Sequence, residues 1–211
     1  MANDRLARQI AFIVEADKLK AVLRRNPLTD GSRLENSAEH CWHLALTAMA
    51  LVEYAPPGVD LLRVLELIAV HDLVEIDAGD TFAYDVAGHD TKHERERLAA
   101  ERIFGLLPPE QAREFRARWD EFEEVTTPES RYANALDRLQ PLLQNMQADG
   151  GSWRAHHVTR AAVLRRMAPI EAALPDVWSF VLDVVERFCA CGAIVVDDSG
   201  IPDVRSGAGP G

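Results

Sequence analysis

The chain has 211 residues, of which 47% are hydrophobic and 27% are charged, and its formal net charge at pH 7 is −11. This length favours a single domain with one substantial core. The negative charge excludes a general nucleic-acid binder, which needs a basic surface. A small anionic substrate stays compatible with it, because a bound metal or a few arginines can reverse the field locally.

No apolar run reaches the length of about 18 residues that a membrane-spanning helix needs, so the sequence predicts no membrane segment. The first twenty residues mix acids and bases and lack the apolar stretch of a signal peptide. Cys41, Cys189 and Cys191 are odd in number and have no framework spacing. This cysteine usage predicts a reduced, cytoplasmic setting.

Apolar residues recur with a period near 3.6 through most of the chain, and no segment with the period of a strand exceeds a few residues. The sequence therefore predicts an all-α fold with one domain over residues 1–192. Residues 77–91 are predicted to form a loop, and residues 193–211 a disordered tail. The predicted helices cover residues 4–25, 36–54, 59–71, 92–106, 109–125, 129–148, 157–173 and 176–190.

A dense group of ionisable residues follows the apolar helix that is predicted to end at His71. His71 and Asp72 stand at its C-terminus, where side chains are held beside the core and unsatisfied carbonyls favour a cation. The dipeptide alone is a weak motif. A second copy, His89-Asp90, lies in a polar segment and is interpreted as part of a solvated loop.

Two further residues of the metal-binding type lie on apolar helical stretches. His40 is on the second predicted helix, and Asp137 is surrounded by alanines and leucines on the helix 129–148. A buried aspartate is costly unless another group compensates its charge. Together with His71 and Asp72 these residues supply two imidazoles and two carboxylates. That mixture suits a borderline divalent metal such as Zn, Mn, Co, Ni or Fe(II).

The ordered set of His40, His71, Asp72 and Asp137 on consecutive core helices resembles the HD-domain metal-dependent phosphohydrolases. The segments RLENSAEHCWH, HDLVEIDAGD and ALDRLQPLLQN are similar to the branch that contains the bacterial 5′-deoxynucleotidases and their eukaryotic HD-domain relatives. The similarity spans residues 5–190, most of the chain. It implies a single HD-domain helical bundle with the metal site between core helices, and a homodimer. It also implies one divalent ion (Mn, Co, Zn, Ni, Fe or Mg) and a nucleoside 5′-monophosphate substrate.

Hydrolysis of a phosphate monoester is among the slowest uncatalysed reactions, so a metal is needed to polarise the phosphoryl group and activate water. Glu75 lies three residues after Asp72 and four after His71, which on a continued helical turn places all three on one face. From there Glu75 can orient or deprotonate the attacking water without being a ligand. The resemblance implies the same role, and Glu75 and Asp72 are the predicted catalytic residues.

The predicted substrate-binding residues come partly from the resemblance, which implies that Asp80 contacts the sugar. Its neighbour Thr81 is a further candidate. Arg25 and Arg33 precede the second helix and could clamp the phosphate, since a guanidinium fork matches phosphate oxygens. Further phosphate candidates on the next helix are Lys92 and Arg95.

One position departs from the branch pattern: this chain has Arg25-Asn26-Pro27 where the branch has Arg-Trp-Pro. An aromatic wall against the deoxyribose is therefore not expected at residue 26, which leaves selectivity for 2′-deoxy substrates open.

The candidates have structural alternatives. Arg33 could pair with Glu35 or Glu39, and Asp80 could be an ordinary turn residue. Lys92 and Arg95 could belong to a solvated charged face. Three further histidines are interpreted as packing, hydrogen-bonded or helix-flanking residues: His43, His156 and His157.

Two other functions remain open. The first is a non-catalytic module that binds a metal and a nucleotide, which would have no need of a base such as Glu75. The second is an HD-type di-iron oxygenase, which would need extra histidine ligands between Asp72 and Asp137. His89 and His93 are the candidates in that interval.

The prediction of a homodimer rests partly on a surplus of apolar helix. Aromatic residues at i, i+4 and i+7 spacing share one face of the helix 109–125, and the last helix adds two more. A partner chain would cover such a face if it lay at the surface. The residues concerned are Phe115, Trp119, Phe122, Trp178 and Phe188.

Overall fold

A computed structural model describes the backbone of residues 2–84 and 86–196 and the side chains of residues 4–84 and 91–196. None of the helices in these ranges is long and apolar enough to cross a membrane. The helices are α1 (Ala2–Ala16), α2 (Ser37–Ala50), α3 (Leu61–Val70), α4 (Glu75–Ala78), α5 (Val86–Phe104), α6 (Pro109–Glu124), α7 (Pro128–Gln147), α8 (Gly151–Ala155), α9 (Arg160–Ala173) and α10 (Pro175–Ala190).

The fold is helical, as predicted, but the prediction of one helix over residues 4–25 is wrong. α1 ends at Ala16, and a 3₁₀ helix, Asp17–Ala21, follows it. The chain then forms β1 (Leu23–Pro27), which pairs antiparallel with β2 (Leu34–Asn36). In β1 the side chains alternate between exposed and buried, as a strand requires.

Three other predicted boundaries move. The predicted loop over 77–91 is shorter, because α4 ends at Ala78 and α5 already begins at Val86. The predicted helix over 157–173 begins only at Arg160, where the Thr159 side chain accepts a hydrogen bond from the backbone of Ala162. A separate short helix, α8, precedes it.

The predicted start of the tail at residue 193 is also too early. Ala193 and Ile194 are buried against the core. Val195 forms a parallel bridge with Thr159. The packed part of the chain therefore extends beyond residue 192, and the rest of the predicted tail, residues 197–211, lies outside the described residues.

The buried apolar side chains form two clusters that meet at α3. The larger surrounds α7 and includes Tyr132, Leu136 and Trp153. The smaller joins α1, α5 and α6. On α3, Val64, Leu67 and Ile68 belong to the larger cluster. Val70 at its end and the following Leu73 and Val74 belong to the smaller one. The His71-Asp72 pair therefore lies where the two clusters meet, which holds its side chains firmly.

Helix-start signals determine where the site-bearing helices begin. The Asn36 side chain accepts a hydrogen bond from the Glu39 backbone N–H, and the Glu39 carboxylate accepts one from the Asn36 backbone N–H. This capping box precedes α2, four residues before His40. Thr127 and Ser130 form the equivalent box at α7. Because α7 contacts α2, α3 and α9, it carries its polar residues to the centre of the bundle.

The aromatic residues from which a homodimer was predicted lie mainly in the interior of the chain, so this reason for predicting a dimer is wrong. Trp119, Phe122 and Phe188 are at most 5% exposed and pack inside the chain's own core. Phe115 and Trp178 are partly buried against the same clusters. The helices α3 and α5 cover the apolar face of α6, and no second chain is needed to bury it.

Candidate metal centre and adjoining cavity

The helices α2 and α3 bring a compact group of metal-binding side chains together. His40, His71 and Asp72 are buried, and one ligand-type atom from each lies within 4.8 Å of the others. His71 Nε2 is 3.0 Å from Asp72 Oδ1, and His40 Nε2 is 3.9 Å from Asp72 Oδ2. In the part of the chain that the structure describes, this is the group whose geometry could hold a metal ion.

Asp137, the fourth predicted ligand, reaches the group from α7. Its Oδ1 lies 3.0 Å from His40 Nε2, although Asp137 does not belong to the compact group of three. Burial would raise the pKa of this carboxyl, but the hydrogen bond to His40 and the nearby arginines Arg166 and Arg24 hold it well below its usual range. Asp137 is therefore an ionised carboxylate facing His40.

The His71 ring provides a direct test of whether these residues fit a cation. Its Nδ1 lies 2.8 Å from the Ile68 carbonyl oxygen, so the proton belongs on Nδ1 and Nε2 keeps its lone pair. Nε2 is buried without a hydrogen-bond partner. Burial lowers the pKa of His71, and Asp72 only partly offsets it. A neutral imidazole with an unsatisfied buried nitrogen directed at carboxylates fits a metal ligand.

The second imidazole, His40, carries a buried carboxylate behind it. Its Nδ1 is 3.6 Å from Glu35 Oε2, while Nε2 faces Asp137. Burial and the charge of Arg24 oppose protonation, but Asp137 and Glu35 outweigh them and raise the pKa of His40 to about 9. These acids draw positive charge to the ring, and a metal supplies such a charge when it replaces the proton.

Arg24 is buried inside the site, whereas the residue predicted from the sequence was its neighbour Arg25. Its NH1 donates to Asp72 Oδ2 at 3.0 Å, and its NH2 is 3.9 Å from Asp137 Oδ1. The alternation of β1 turns Arg24 inward, whereas Arg25 is exposed at the edge of the neighbouring cavity. Burial disfavours the charge of Arg24, yet Asp72 and Asp137 raise its pKa above the ordinary value.

Glu75 is the first residue of α4 and faces the cavity beside Asp72. It is 7% exposed, and its Oε2 accepts a hydrogen bond from Ser37 Oγ at 2.5 Å. Burial and the charge of Asp72 raise the pKa of Glu75 well above its ordinary value. Asp77, on the same short helix, is exposed and pairs with Arg102. The two acids of α4 thus have different environments, and Glu75 is not a solvated helix-end acid.

A cavity of about 1030 Å³, including its open mouth, adjoins the metal-type residues. Four predicted substrate residues line it: Arg25, Asp80, Thr81 and Lys92. Lys92 Nζ is 3.0 Å from Glu96 Oε1. Arg95 NH2 donates to Thr81 Oγ1 at 3.1 Å and so supports the segment between α4 and α5.

Arg33 does not line this cavity. It is exposed and pairs with Glu39 at 2.6 Å, which was the structural alternative for this residue. His43 accepts a hydrogen bond from Gln140 at 3.0 Å, as expected of a hydrogen-bonded histidine. His93 is exposed, and the side chain of His89 lies outside the described residues, so the described part of the chain offers no second set of histidine ligands.

Phe82 and Tyr84 form the aromatic end of the cavity lining. Phe82 and Tyr84 pack edge to face with ring centroids 5.3 Å apart. Other large apolar side chains of the lining are Leu142, Trp153 and Met167, whereas Phe122 packs on the His71 ring with ring centroids 4.5 Å apart. Asn145 and Ser152 add polar groups and are hydrogen-bonded to each other at 3.0 Å. The cavity lining thus combines ionised groups at the metal-type residues, its ionic end, with the aromatic end at Phe82 and Tyr84.

Some of the cavity's charged groups had no signal in the sequence analysis. They are Arg24, Arg138 and Arg166, and the acid Glu35 behind His40 was missed as well. The burial of Arg24 follows from the alternation of β1, which points Arg24 and Asn26 to the same side.

Comparison with known proteins agrees with this geometry. The model of a protein family described as the HD domain matches residues 16–178, which is more than half of the chain. The chain belongs to the HD domain family. The resemblance inferred from the three quoted segments is therefore confirmed.

A crystal structure of a protein described as a predicted metal-dependent phosphohydrolase, from Magnetospirillum magnetotacticum MS-1, matches this HD domain chain with a TM-score of 0.88. The two are 49% identical over 92% of this chain and 97% of that one. A conserved hypothetical protein from Pyrococcus furiosus has a TM-score of 0.59 at 20% identity, over 82% of this chain and 99% of that one. That second match supports the fold alone.

Among the curated relatives, 5′-deoxynucleotidase HDDC2 of Danio rerio is 30% identical over 132 residues, and that of Homo sapiens is 29% identical over 132 residues. Each alignment covers 60% of this chain. It covers 64% of the Danio rerio protein and 63% of the human one, so the match spans less than two thirds of these relatives.

Proposed function

We propose that the protein is a metal-dependent phosphohydrolase that converts nucleoside or deoxynucleoside 5′-monophosphates to the nucleoside and phosphate. The observation that carries this proposal is the placement of Glu75, buried beside Asp72 at the edge of a cavity with an ionic end and an aromatic end. The proteins named above as a metal-dependent phosphohydrolase and as 5′-deoxynucleotidases support it.

His40, His71, Asp72 and Asp137 would hold one divalent metal ion, with Mn, Co, Zn, Ni, Fe and Mg as the candidates. When bound, such an ion polarises the phosphoryl group and makes a water molecule a stronger nucleophile. The Ile68 carbonyl keeps the His71 ring in the tautomer whose Nε2 can act as a ligand. A buried neutral imidazole of this kind costs less to pair with a cation than a protonated one.

Glu75 would hold the attacking water and take its proton. Its Oε2 is occupied by Ser37, which fixes the orientation of the carboxylate and leaves the other oxygen for the water. A cation held at Asp72 would favour the ionised form of this buried carboxyl, which can then accept the proton. A non-catalytic binding module, the second candidate, would gain nothing from an acid that is costly to bury.

The nucleotide would lie along the cavity, with its phosphoryl group at the metal-type residues and its base at the aromatic end. Asp80 and Thr81 are proposed contacts of the sugar. Both line the cavity, and in the chain they lie between Glu75 at the ionic end and Phe82 at the aromatic end. Lys92 and Arg25 remain proposed phosphate contacts at the cavity wall and mouth. Arg33 would act only if its ion pair with Glu39 opened.

One experiment tests the function directly. Purified protein is stripped of metal, reloaded with each candidate ion in turn, and assayed for phosphate release from a panel of ribo- and deoxynucleoside monophosphates. We expect turnover with at least one ion and faster hydrolysis of 5′- than of 3′-monophosphates. Stoichiometric metal binding without phosphate release from any member of the panel would favour the non-catalytic module.

The aromatic end makes a testable contribution to nucleotide binding. Phe82→Ala is expected to raise KM for a nucleoside monophosphate about 3–10-fold, because one stacked ring is worth roughly 1 kcal/mol. KM for p-nitrophenyl phosphate, which lacks a nucleobase, should change little. Phe180, exposed on α10 and not part of the cavity, supplies the control Phe180→Ala. Equal losses on both substrates would argue against a base-binding role.

We further propose a homodimer in a reducing, cytoplasmic setting. Trp42, Leu46 and Met49 follow one another at i, i+4 and i+7 on α2 and are 49–68% exposed. This exposed apolar helix face is the proposed site for a partner copy. The three cysteines are free thiols, which fits the reducing setting.

The dimer proposal predicts that Trp42→Glu shifts the protein toward monomer. The new charge would have to be buried without a partner at the interface. Sedimentation velocity at micromolar concentration should show a dimer for the wild type and a 23.4 kDa species for the variant. A wild-type sample that sediments as the monomer would contradict the proposal.

A further inference from the structure

Two arginines from different helices lie beside the outer oxygen of Asp137. Arg166 of α9 places NH2 3.5 Å from Asp137 Oδ2, and Arg138 of α7 places NH1 3.9 Å from the same atom. Both guanidinium groups line the cavity and are partly buried. Asp137 Oδ1 faces the other way, toward His40. The two cations therefore stand on the cavity side of a proposed metal ligand.

Asp137 alone does not neutralise both arginines, and the other carboxyl group near Arg138 is that of Glu123, which also lines the cavity. One carboxylate carries a single negative charge, and its distances to the two guanidinium groups exceed those of good charge-assisted hydrogen bonds, about 2.7–2.9 Å. In the described part of the chain the Arg166 guanidinium makes no hydrogen bond. The Arg166 side chain is 29% exposed and lines the cavity, so its N–H donors are available to an acceptor that enters there.

Asn134, one helical turn earlier on α7, holds the Arg138 side chain in place. Its NH1 donates to the Asn134 carbonyl at 2.8 Å and to Asn134 Oδ1 at 2.9 Å. These contacts use one of the three guanidinium nitrogens and fix the plane of the group. A guanidinium that is oriented in advance loses less entropy when it binds an anion.

We propose that Arg138 and Arg166 form a clamp for the phosphoryl group of the substrate, next to Asp137. The proposal rests on the phosphohydrolase function and specifies which residues hold the anion. Two guanidinium forks match the tetrahedral oxygens of a phosphate dianion and give it a fixed orientation. The clamp would also supply two positive charges for binding an anion in a chain whose net charge is −11.

The clamp differs from the prediction made from sequence order, which placed the phosphate on Arg25 and Arg33. Arg25 is exposed at the cavity edge, and Arg33 is engaged by Glu39 outside the lining. Arg138 and Arg166 are 28 residues apart in the chain and meet because α7 packs against α9.

The test measures phosphate binding separately from turnover. Inorganic phosphate is titrated into the metal-loaded protein by calorimetry, and KM and kcat are measured for a deoxynucleoside monophosphate. Arg138→Met and Arg166→Met are each expected to weaken phosphate binding and raise KM about 10–100-fold, the worth of a charge-assisted hydrogen bond. Metal content is measured in every sample.

Each variant has a matched control on its own helix. Arg165 is exposed beside Arg166, and Arg131 is exposed on α7, and neither lines the cavity. Arg165→Met and Arg131→Met should change phosphate affinity less than about twofold. If a methionine variant loses metal, Arg138→Lys and Arg166→Lys carry the test. Both keep the charge beside Asp137 but lose the fork, and we expect intermediate phosphate affinity at full metal content.

Unchanged phosphate affinity in the metal-replete Arg138 and Arg166 variants would overturn the clamp, while hydrolysis by the wild type would leave the proposed function standing. The reverse outcome is distinguishable. If the wild type hydrolyses no monophosphate but both variants still lose phosphate affinity, the function fails and the anion site is supported.

Discussion

Glu75→Gln is expected to lower kcat about 10²–10⁴-fold, which is the usual worth of a positioned acid–base group. KM should change much less, because the proton transfer matters in the transition state. The substitution keeps the shape of the side chain and a partner for Ser37, so the buried hydrogen bond at Oε2 need not be lost. Metal content and folding should therefore stay close to those of the wild type.

The control for this variant is Asp77→Asn on the same short helix. Asp77 is exposed and pairs with Arg102 away from the cavity, so its loss should leave kcat within about twofold of the wild type. Asp72→Ala should differ from both by losing metal together with activity. A metal-replete Glu75→Gln protein with the turnover of the wild type, on a substrate that the wild type hydrolyses, would remove Glu75 from the mechanism.

Asp137→Ala should lose metal and stability together. The substitution leaves the buried charges of His40 and Arg24, and the nearby Arg166, without their shared carboxylate. Breaking a buried ion pair by removing one partner costs about 3–5 kcal/mol. A metal that binds only the folded state adds its own stabilisation, and the variant should lose that as well.

The measurements are elemental analysis and thermal unfolding with and without added metal. The wild type should contain one ion per chain and melt at a higher temperature when metal is present, whereas Asp137→Ala should show no such shift. Asp120→Ala, which removes a partly exposed acid paired with Arg116 on α6, is the matched control and should retain metal. Two stoichiometric ions in the wild type would reject the mononuclear site.

Asp72→Ala and Glu75→Gln separate two properties, metal binding and proton transfer, that the end of α3 and the start of α4 combine. His71 and Asp72 close α3 at the junction of two apolar clusters, and Glu75 opens α4 immediately after it. The short connection keeps metal-type ligands and the proposed base on neighbouring turns. This explains why so many ionisable residues follow directly on a buried helix: the core holds the helix end rigid, and the cavity supplies the opening to substrate.

Part of this site could be predicted from the sequence because it depends on residue type and local spacing. His40, His71 and Asp72 stand on apolar helical stretches, and a buried imidazole or carboxylate there requires a compensating partner. Glu75 followed from helical spacing, which places residues three and four apart on one face. The structure brings these residues together, with Asp137 beside His40.

Pairings across the fold could not be predicted in this way. Arg24 replaced Arg25 inside the site because β1 forms only when β2 pairs with it, and a strand reverses which residue faces inward. Glu35 lies behind His40 for the same reason. The aromatic face of α6 was predicted to be a dimer surface because the period of its residues shows only that the face is buried. The tertiary structure shows that α3 and α5 of the same chain bury it.

The sequence by itself determined the helical class, the metal-type residues and Glu75, since each depends on the polarity and spacing of residues within one or two helical turns. Only the tertiary structure decided which arginine side chains line the cavity. Arg138 and Arg166 gave no local signal, because a guanidinium on a helix can equally face solvent. Their convergence at Asp137 results from the packing of α9 against α7, and interhelical packing depends on the shape of both surfaces together.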